Sequence, residues 1–399
     1  MPEPKANTHQ AIATRTHTMN RTHQAEATEI TRRSAIAALA TSLFAGRAVH
    51  AQAETATRRM LYVATPGIRN YLEYGGHGIV VLDIDAGHKF VKRIPLAGLN
   101  PEGKPDNVKG ICCSAKIGKI FVSTTKTLQC VDIVSEKLDW EKPYPNGCDR
   151  MSMDPAGRFI YLPTFEKDDW HVVEPLSGDI IAKISPKSGA HNTVVGLDGT
   201  RAYLAGLKSP MLTVCDTATH KIVGEVGPFA AAIRPFTVDG RQNKAYVNVN
   251  GLLGFEIGDI RTGKKLHRVE VPNYKQGPVK RHGCPSHGIG LTPDEKQVWV
   301  VDAFNQKVHV FDNTVDPPKY VESLSVRDEP GWVTFTVKGD YAYPSTGDVF
   351  ETASRKLVTK LADEKGGILM SEKMVEIHFD PAGKPVANGD QFGLGRVRG

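Results

Sequence analysis

His191-Asn-Thr-Val-Val-Gly-Leu-Asp-Gly-Thr-Arg-Ala-Tyr-Leu-Ala205 reads as a strand, a tight turn and a returning strand. Thr193, Val194 and Val195 are β-branched, Asp198-Gly199 supplies turn geometry, and Ala202-Tyr-Leu-Ala205 suits a pleated, half-buried surface. Leu212-Thr-Val-Cys-Asp-Thr217 and Lys221-Ile-Val-Gly-Glu-Val226 follow as third and fourth strands. The opening segment has six counterparts: Lys109-Gly-Ile-Cys-Cys-Ser114, Arg150-Met-Ser-Met-Asp-Pro155, Arg234-Pro-Phe-Thr-Val-Asp239, His287-Gly-Ile-Gly-Leu-Thr292, Trp332-Val-Thr-Phe-Thr-Val337 and Lys373-Met-Val-Glu-Ile-His378. Their first residues lie 41, 41, 43, 53, 45 and 41 positions apart, a period that signals radial repetition of four-stranded units. The expected fold is all-β: a seven-bladed β-propeller of four-stranded blades.

The other units repeat the same turn chemistry, as in Asp154-Pro-Ala-Gly-Arg-Phe-Ile-Tyr-Leu-Pro163 and Thr292-Pro-Asp-Glu-Lys-Gln-Val-Trp-Val-Val301. Leu197 to Val226 resembles the repeat of the YVTN-repeat, YncE-like propellers, and the resemblance extends over roughly residues 58 to 390. It implies fold strongly and chemistry weakly, since such scaffolds host many functions. The departures are at the ends. The first blade lacks an opening strand, and Lys373 to Asp380 lacks a full blade after it. Pairing of the two terminal segments completes one blade with Leu61-Tyr-Val-Ala64, Gly78-Ile-Val-Val-Leu-Asp83 and Phe90-Val-Lys-Arg-Ile94, and removes exposed sheet edges.

The 399 residues contain 40% hydrophobic residues, 38 Gly and 25 Pro, a composition suited to many short strands and turns. No apolar run is long enough to span a bilayer. The N-terminus reads as an address: Thr31-Arg32-Arg33-Ser34 precedes an apolar stretch from Ala35 to Gly46, then the small-residue context Val49-His50-Ala51. That order is a twin-arginine export signal, with cleavage expected near Ala51 or Ala53. Residues 1–53 are therefore assigned to a disordered N-region plus signal, residues 54–399 to one propeller, and the location is periplasmic or secreted. Met19 is an alternative start. The net charge of +6 falls to +3 once residues 1–51 are set aside, too small for a nucleic-acid coat. Six cysteines (Cys112, Cys113, Cys130, Cys148, Cys215, Cys284) follow no disulfide or zinc framework.

In a propeller the fourth-to-first and second-to-third loops share one face. Here those loops are long: Pro272 to Ser286, Pro66 to His77 and Phe165 to His171. Insertions gather where binding residues sit. The axial mouth on that face is expected to carry Lys109, Arg150, His191, Asn192, Arg234, His287, Trp332 and Lys373, with His77 on the same face. Crowded cations repel one another unless carboxylates or a bound anion compensate, and Asp149 and Glu372 directly precede two of them. Structural ion pairs plugging the mouth are one reading. The other is an anion pocket, in which Arg150 and Arg234 clamp a carboxylate or phosphate, Lys109, Lys373, Asn192 and His77 assist, Trp332 offers a face to a sugar ring, and His191 or His287 is a general base. Cationic neighbours favour the neutral, basic form of an imidazole.

His282-Gly-Cys284-Pro-Ser-His287 has the only local metal-like spacing, soft enough for copper or zinc, with His77 or His191 as a further ligand. Cys112-Cys113 points to opposite sides of a strand and reads as packing. No nucleophile elbow, phosphate loop, dinucleotide fingerprint or haem-attachment motif occurs. Two function classes remain open. One is an exported enzyme acting on an anionic carbohydrate by β-elimination or lactone hydrolysis, with a divalent metal as a possible cofactor in the latter. The other is a non-catalytic module capturing a ligand or a protein. Nucleic acid ranks low because the basic residues converge on a pore, not a stripe interleaved with aromatics. A closed ring needs no partner subunit, so a monomer is expected.

Overall fold

A computed structural model describes residues 57–279 and 284–398. Among them the only helix is the short 3-10 turn Leu72–Tyr74, and the rest of the regular structure is antiparallel strand. The strands form seven sheets, six of four strands and one of five. This is a seven-bladed β-propeller. Inner strands touch in chain order from Val108–Ser114 to Val333–Phe335, Val337 N–H donates to the Glu376 carboxylate, and Met374–Phe379 touches Val108–Ser114 to close the ring.

Closure occurs within the blade built from both ends of the described chain. Arg58–Thr65 pairs with Gly78–Asp83 on one side and with Met374–Phe379 on the other, matching Tyr62 to Val375 and Leu61 to Glu376. This blade is counted as blade one, and those opening with Lys109, Arg150, His191, Arg234, His287 and Trp332 as blades two to seven.

Each blade grades from core to solvent. In blade four the second strand, Arg201–Gly206, is buried at five of six positions, whereas the outermost strand, Lys221–Val226, is exposed at five of six. Apolar side chains meet between neighbouring blades: Tyr62, Val81 and Ile377 pack on Ile111 and Val122, and Leu61, Val80 and Met374 pack on Tyr343 and Val349. The recurrent Asp after the inner strand earns its place at the hairpin. Asp154 accepts bonds from the backbone of Arg158 and Phe159, and Asp239 accepts from Asn243 and Lys244, so the carboxylate holds the turn that reverses the chain.

The C-terminus adds an arrangement that four-strand repetition does not foretell. Pro385–Asn388 pairs on the axial side of Met374–Phe379, and residues 389–397 then cross the channel. Gly389 N–H donates to Glu376 O, Gly393 O accepts from Leu291 N–H and the Thr237 hydroxyl, and Val397 N–H reaches Glu295. Phe392 and Leu394 bury beside Trp332, Phe236 and Val194. Gly393 has φ +58° and lies so near Gly290 that a Cβ on Gly393 would come within 2.9 Å of the Gly290 Cα.

Candidate axial anion site

Three of the opening residues sit on bulges. The ladder between the first two strands slips between Val108 and Gly110, between Ala190 and Asn192, and between Ile233 and Phe236. Lys109 and His191 are left out of register, as is Arg234 together with Pro235. A bulge unpairs one residue and re-aims its side chain. Arg150, His287, Trp332 and Lys373 lie just before their inner strands, at the same level of the ring.

Two carboxylates organise the mouth. Asp149, fully buried, places Oδ1 3.4 Å from Lys109 Nζ and Oδ2 2.8 Å from His191 Nδ1. Burial opposes its charge, but Lys109, His191 and Arg150 outweigh that cost and hold the carboxyl down to about 2. Glu372 Oε2 accepts from Arg150 Nη2 at 2.7 Å and from Lys373 Nζ at 2.8 Å. Lys373 Nζ also donates to Gly67 O at 2.7 Å, which ties the long Pro66 to His77 loop to the mouth. Burial pulls the Lys373 ammonium down to about 7; Glu372 resists the shift, while Arg150 and Lys109 add to it.

The guanidinium of Arg150 stacks on Trp332, its central carbon 3.5 Å from the ring centroid. The Trp332 Nε1–H donates to Gln391 O at 2.5 Å, and the residue is 2% exposed. The expected sugar platform is therefore a packing element whose face is covered by Arg150. Arg234 is half-buried, its Nε donating to Asn250 Oδ1 at 2.7 Å. No described residue bonds its two terminal nitrogens. Burial lowers its pKa, against the pull of Cys284 and Glu166. The His287 Nδ1 lies 3.2 Å from Gly331 O, and the residue is buried.

Some polar atoms at the mouth are buried without a hydrogen-bond partner among the described residues: Arg150 Nη1 and both amide atoms of Asn192. Arg150 and Asn192 belong to adjoining blades whose backbones bridge at these two residues. Asn192 directly follows His191, whose side chain remains 13% exposed. The arrangement offers unspent donors, an accessible imidazole backed by a carboxylate, and an open arginine fork.

Other expected residues lie elsewhere. His77 Nε2 sits 3.1 Å from Ala97 O, and burial lowers its pKa with Arg93 adding to the effect. These contacts belong to the outer side of blade one and connect His77 to none of the axial residues. Cys284 is buried, and its thiol donates to Val249 O and Ser286 O; burial pushes its pKa up to about 12. His282 and the segment 1–56 lie outside the described residues. No group of three or more His, Cys, Asp or Glu side chains among the described residues is arranged to hold a metal ion. Cys112 and Cys113 pack into two different apolar clusters.

Sequence reasoning missed Asn250, the Phe165 ring 5.0 Å from Lys109 Nζ, and Gln391. Only the last had a signal: Phe392 and Leu394 are apolar residues in what otherwise reads as a solvated tail.

No family model and no curated protein matches this chain. Among solved structures, hydrazine synthase of Kuenenia stuttgartiensis is similar, at 14% identity over 63% of this chain and 94% of that chain, with a TM-score of 0.43. At that level the likeness assigns no role to any residue.

Proposed function

We propose that this protein binds a small anionic molecule, a sugar acid or comparable carboxylate, at the axial mouth, and that His191 acts there as a base. The observation that carries the reading is the set of buried groups with no described partner, Arg150 Nη1 and the Asn192 amide, beside the open fork of Arg234. A buried donor left unmade costs about 1–3 kcal/mol. A bound carboxylate supplies the missing acceptors.

The proposed chemistry starts from the Asp149–His191 pair. In its neutral form, with Nδ1–H donated to Asp149, the imidazole turns the lone pair of Nε2 toward the mouth. A carboxylate held by Arg234 and Arg150 has its α-proton acidified, because positive charge stabilises the enolate-like intermediate. His191 takes that proton, and β-elimination from a uronate follows: the C–H electron pair becomes the new C=C bond, the C–O bond at the β-carbon breaks, and the leaving oxygen is protonated by solvent. Lactone hydrolysis by a water activated at the same nitrogen is the neighbouring possibility.

A second reading is a binding module without turnover. It is favoured by the engagement of Lys109, Arg150 and Lys373 with Asp149 and Glu372, which leaves Arg234 as the one of the four with no ion pair among the described residues. The twin-arginine pattern and the YVTN-like repeat fit a protein acting in the periplasm or outside the cell. The test follows unsaturated-product absorbance with polyuronides and the melting midpoint with a panel of sugar acids. Product formation abolished by His191→Ala supports the enzyme. A raised midpoint without product supports the module, and neither response in the wild type removes both.

A further inference from the structure

Gln391 stands at the centre of the crossing C-terminal segment and touches three blades at once. Its Oε1 accepts from Ile111 N–H at 3.4 Å, its Nε2 donates to Met151 O at 3.1 Å, and its carbonyl accepts the Trp332 indole N–H at 2.5 Å. Each contact lies next to an axial residue. Ile111 is two residues beyond Lys109, Met151 follows Arg150, and Trp332 is the ring on which Arg150 stacks. The residue is 1% exposed and both ends of its amide are engaged, so its position is fixed from all sides.

The segment is in turn fixed below. Thr334 donates to Asp390 O, Asp390 pairs with Arg396 at 2.7 Å, and Gly395 N–H and Arg396 N–H donate to Val238 O and Pro293 O. Gln391 also forms part of the wall of a cleft of about 330 Å³ at the far ends of the inner strands, shared with Ser152, Asp154 and Val337. One residue thus faces the lower end of the channel while holding the groups of the upper end.

We propose that Gln391 is a positioning residue of the anion site, and that docking of residues 389–397 sets anion affinity at the mouth by fixing the Arg150–Trp332 pair. The inference rests on the anion-binding reading. Its physical basis is that the Arg150 plane, and with it the unpartnered Nη1, is held in place by Glu372 and by a Trp332 ring that cannot turn. Removing the Gln391 side chain frees two backbone groups and loosens the carbonyl that anchors the indole.

The test uses the full chain with 15N-labelled tryptophan, the Trp332 indole signal being assigned by its loss in Trp332→Phe. Gln391→Ala is compared with wild type, with the exposed-strand control Val386→Ala, and with Val310→Ala, a core truncation in blade six that matches any loss of melting temperature. Two quantities are read well below the melting transitions: solvent exchange of the Trp332 indole, and affinity for galacturonate by calorimetry. The expected result is faster indole exchange and about tenfold weaker binding in Gln391→Ala alone. Unchanged indole exchange in that variant overturns the proposal, as does an equal loss of affinity in Val310→Ala. If wild type binds no sugar acid, the anion reading fails, and with it the claim that the segment sets affinity. The indole readout then still decides whether Gln391 holds Trp332.

Discussion

At the upper end of the axial channel Arg150 and Asn192 are buried with side-chain polar atoms that no described residue meets, whereas among the described residues of the crossing segment at the lower end no buried side-chain nitrogen or oxygen is left so. There both amide atoms of Gln391 are bonded, Thr237 and Leu291 satisfy Gly393 O, and Phe392 and Leu394 fill the space between inner strands. The two ends share one architecture and one set of strands. They differ in whether buried side chains meet a described hydrogen-bond partner, and the proposed anion site rests on that difference.

The largest expected effect breaks the mouth from within. Glu372→Gln leaves Arg150 and Lys373 buried without their shared carboxylate and is expected to cost about 3–5 kcal/mol, read as a fall in the urea midpoint. Phe392→Ala attacks the floor instead, opening a cavity at a cost of about 3 kcal/mol or somewhat more. The two losses differ in kind: added sugar acid is expected to recover little of the first and to stabilise the second less than it stabilises wild type, because the segment that Phe392 docks holds Trp332.

Lys373 sharpens the contrast through pH. Its pKa falls from 10.5 when unfolded to about 7 when folded, so between those values the unfolded chain binds the extra proton. Stability is therefore expected to rise as pH increases through that window, by at most about 1.4 kcal/mol per pH unit, while the cost of burying the ammonium is fully present below it. Urea midpoints at pH 7, 8 and 9 check the slope, which Lys373→Met should flatten. Anion affinity runs the other way, weakening above pH 7 as the mouth loses a positive charge. Arg234→Ala is expected to leave stability within about 1 kcal/mol, because its guanidinium is half-buried and its described hydrogen bond is to Asn250. Its effect is on binding.

The ring was legible because the repeat is periodic and its turns carry their chemistry openly, as Asp154 and Asp239 show. Joining the two ends within blade one followed from counting strands. The level of the opening residues was legible for the same reason, and it brought Lys109, Arg150, His191 and Lys373 to two shared carboxylates. What spacing does not encode is side-chain direction within that level. Trp332 reads as an open aromatic platform, yet it lies beneath Arg150 because Gln391, far away in sequence, holds its indole. His77 shares the face but not the axis, since the second-to-third loop that carries it turns outward over the edge of blade one. The bulges at Lys109, His191 and Arg234 were invisible, because nothing in a hexapeptide distinguishes a residue in register from one pushed out of it.

Calorimetric titration of the wild type and of Arg234→Ala with a panel of sugar acids, at low and at physiological salt, tests the proposed anion site most directly. Saturable one-to-one binding in the wild type, weakened by salt and reduced at least about tenfold in the variant, is the predicted result. Binding that is identical in both proteins, or absent for every acid in the wild type, would contradict it.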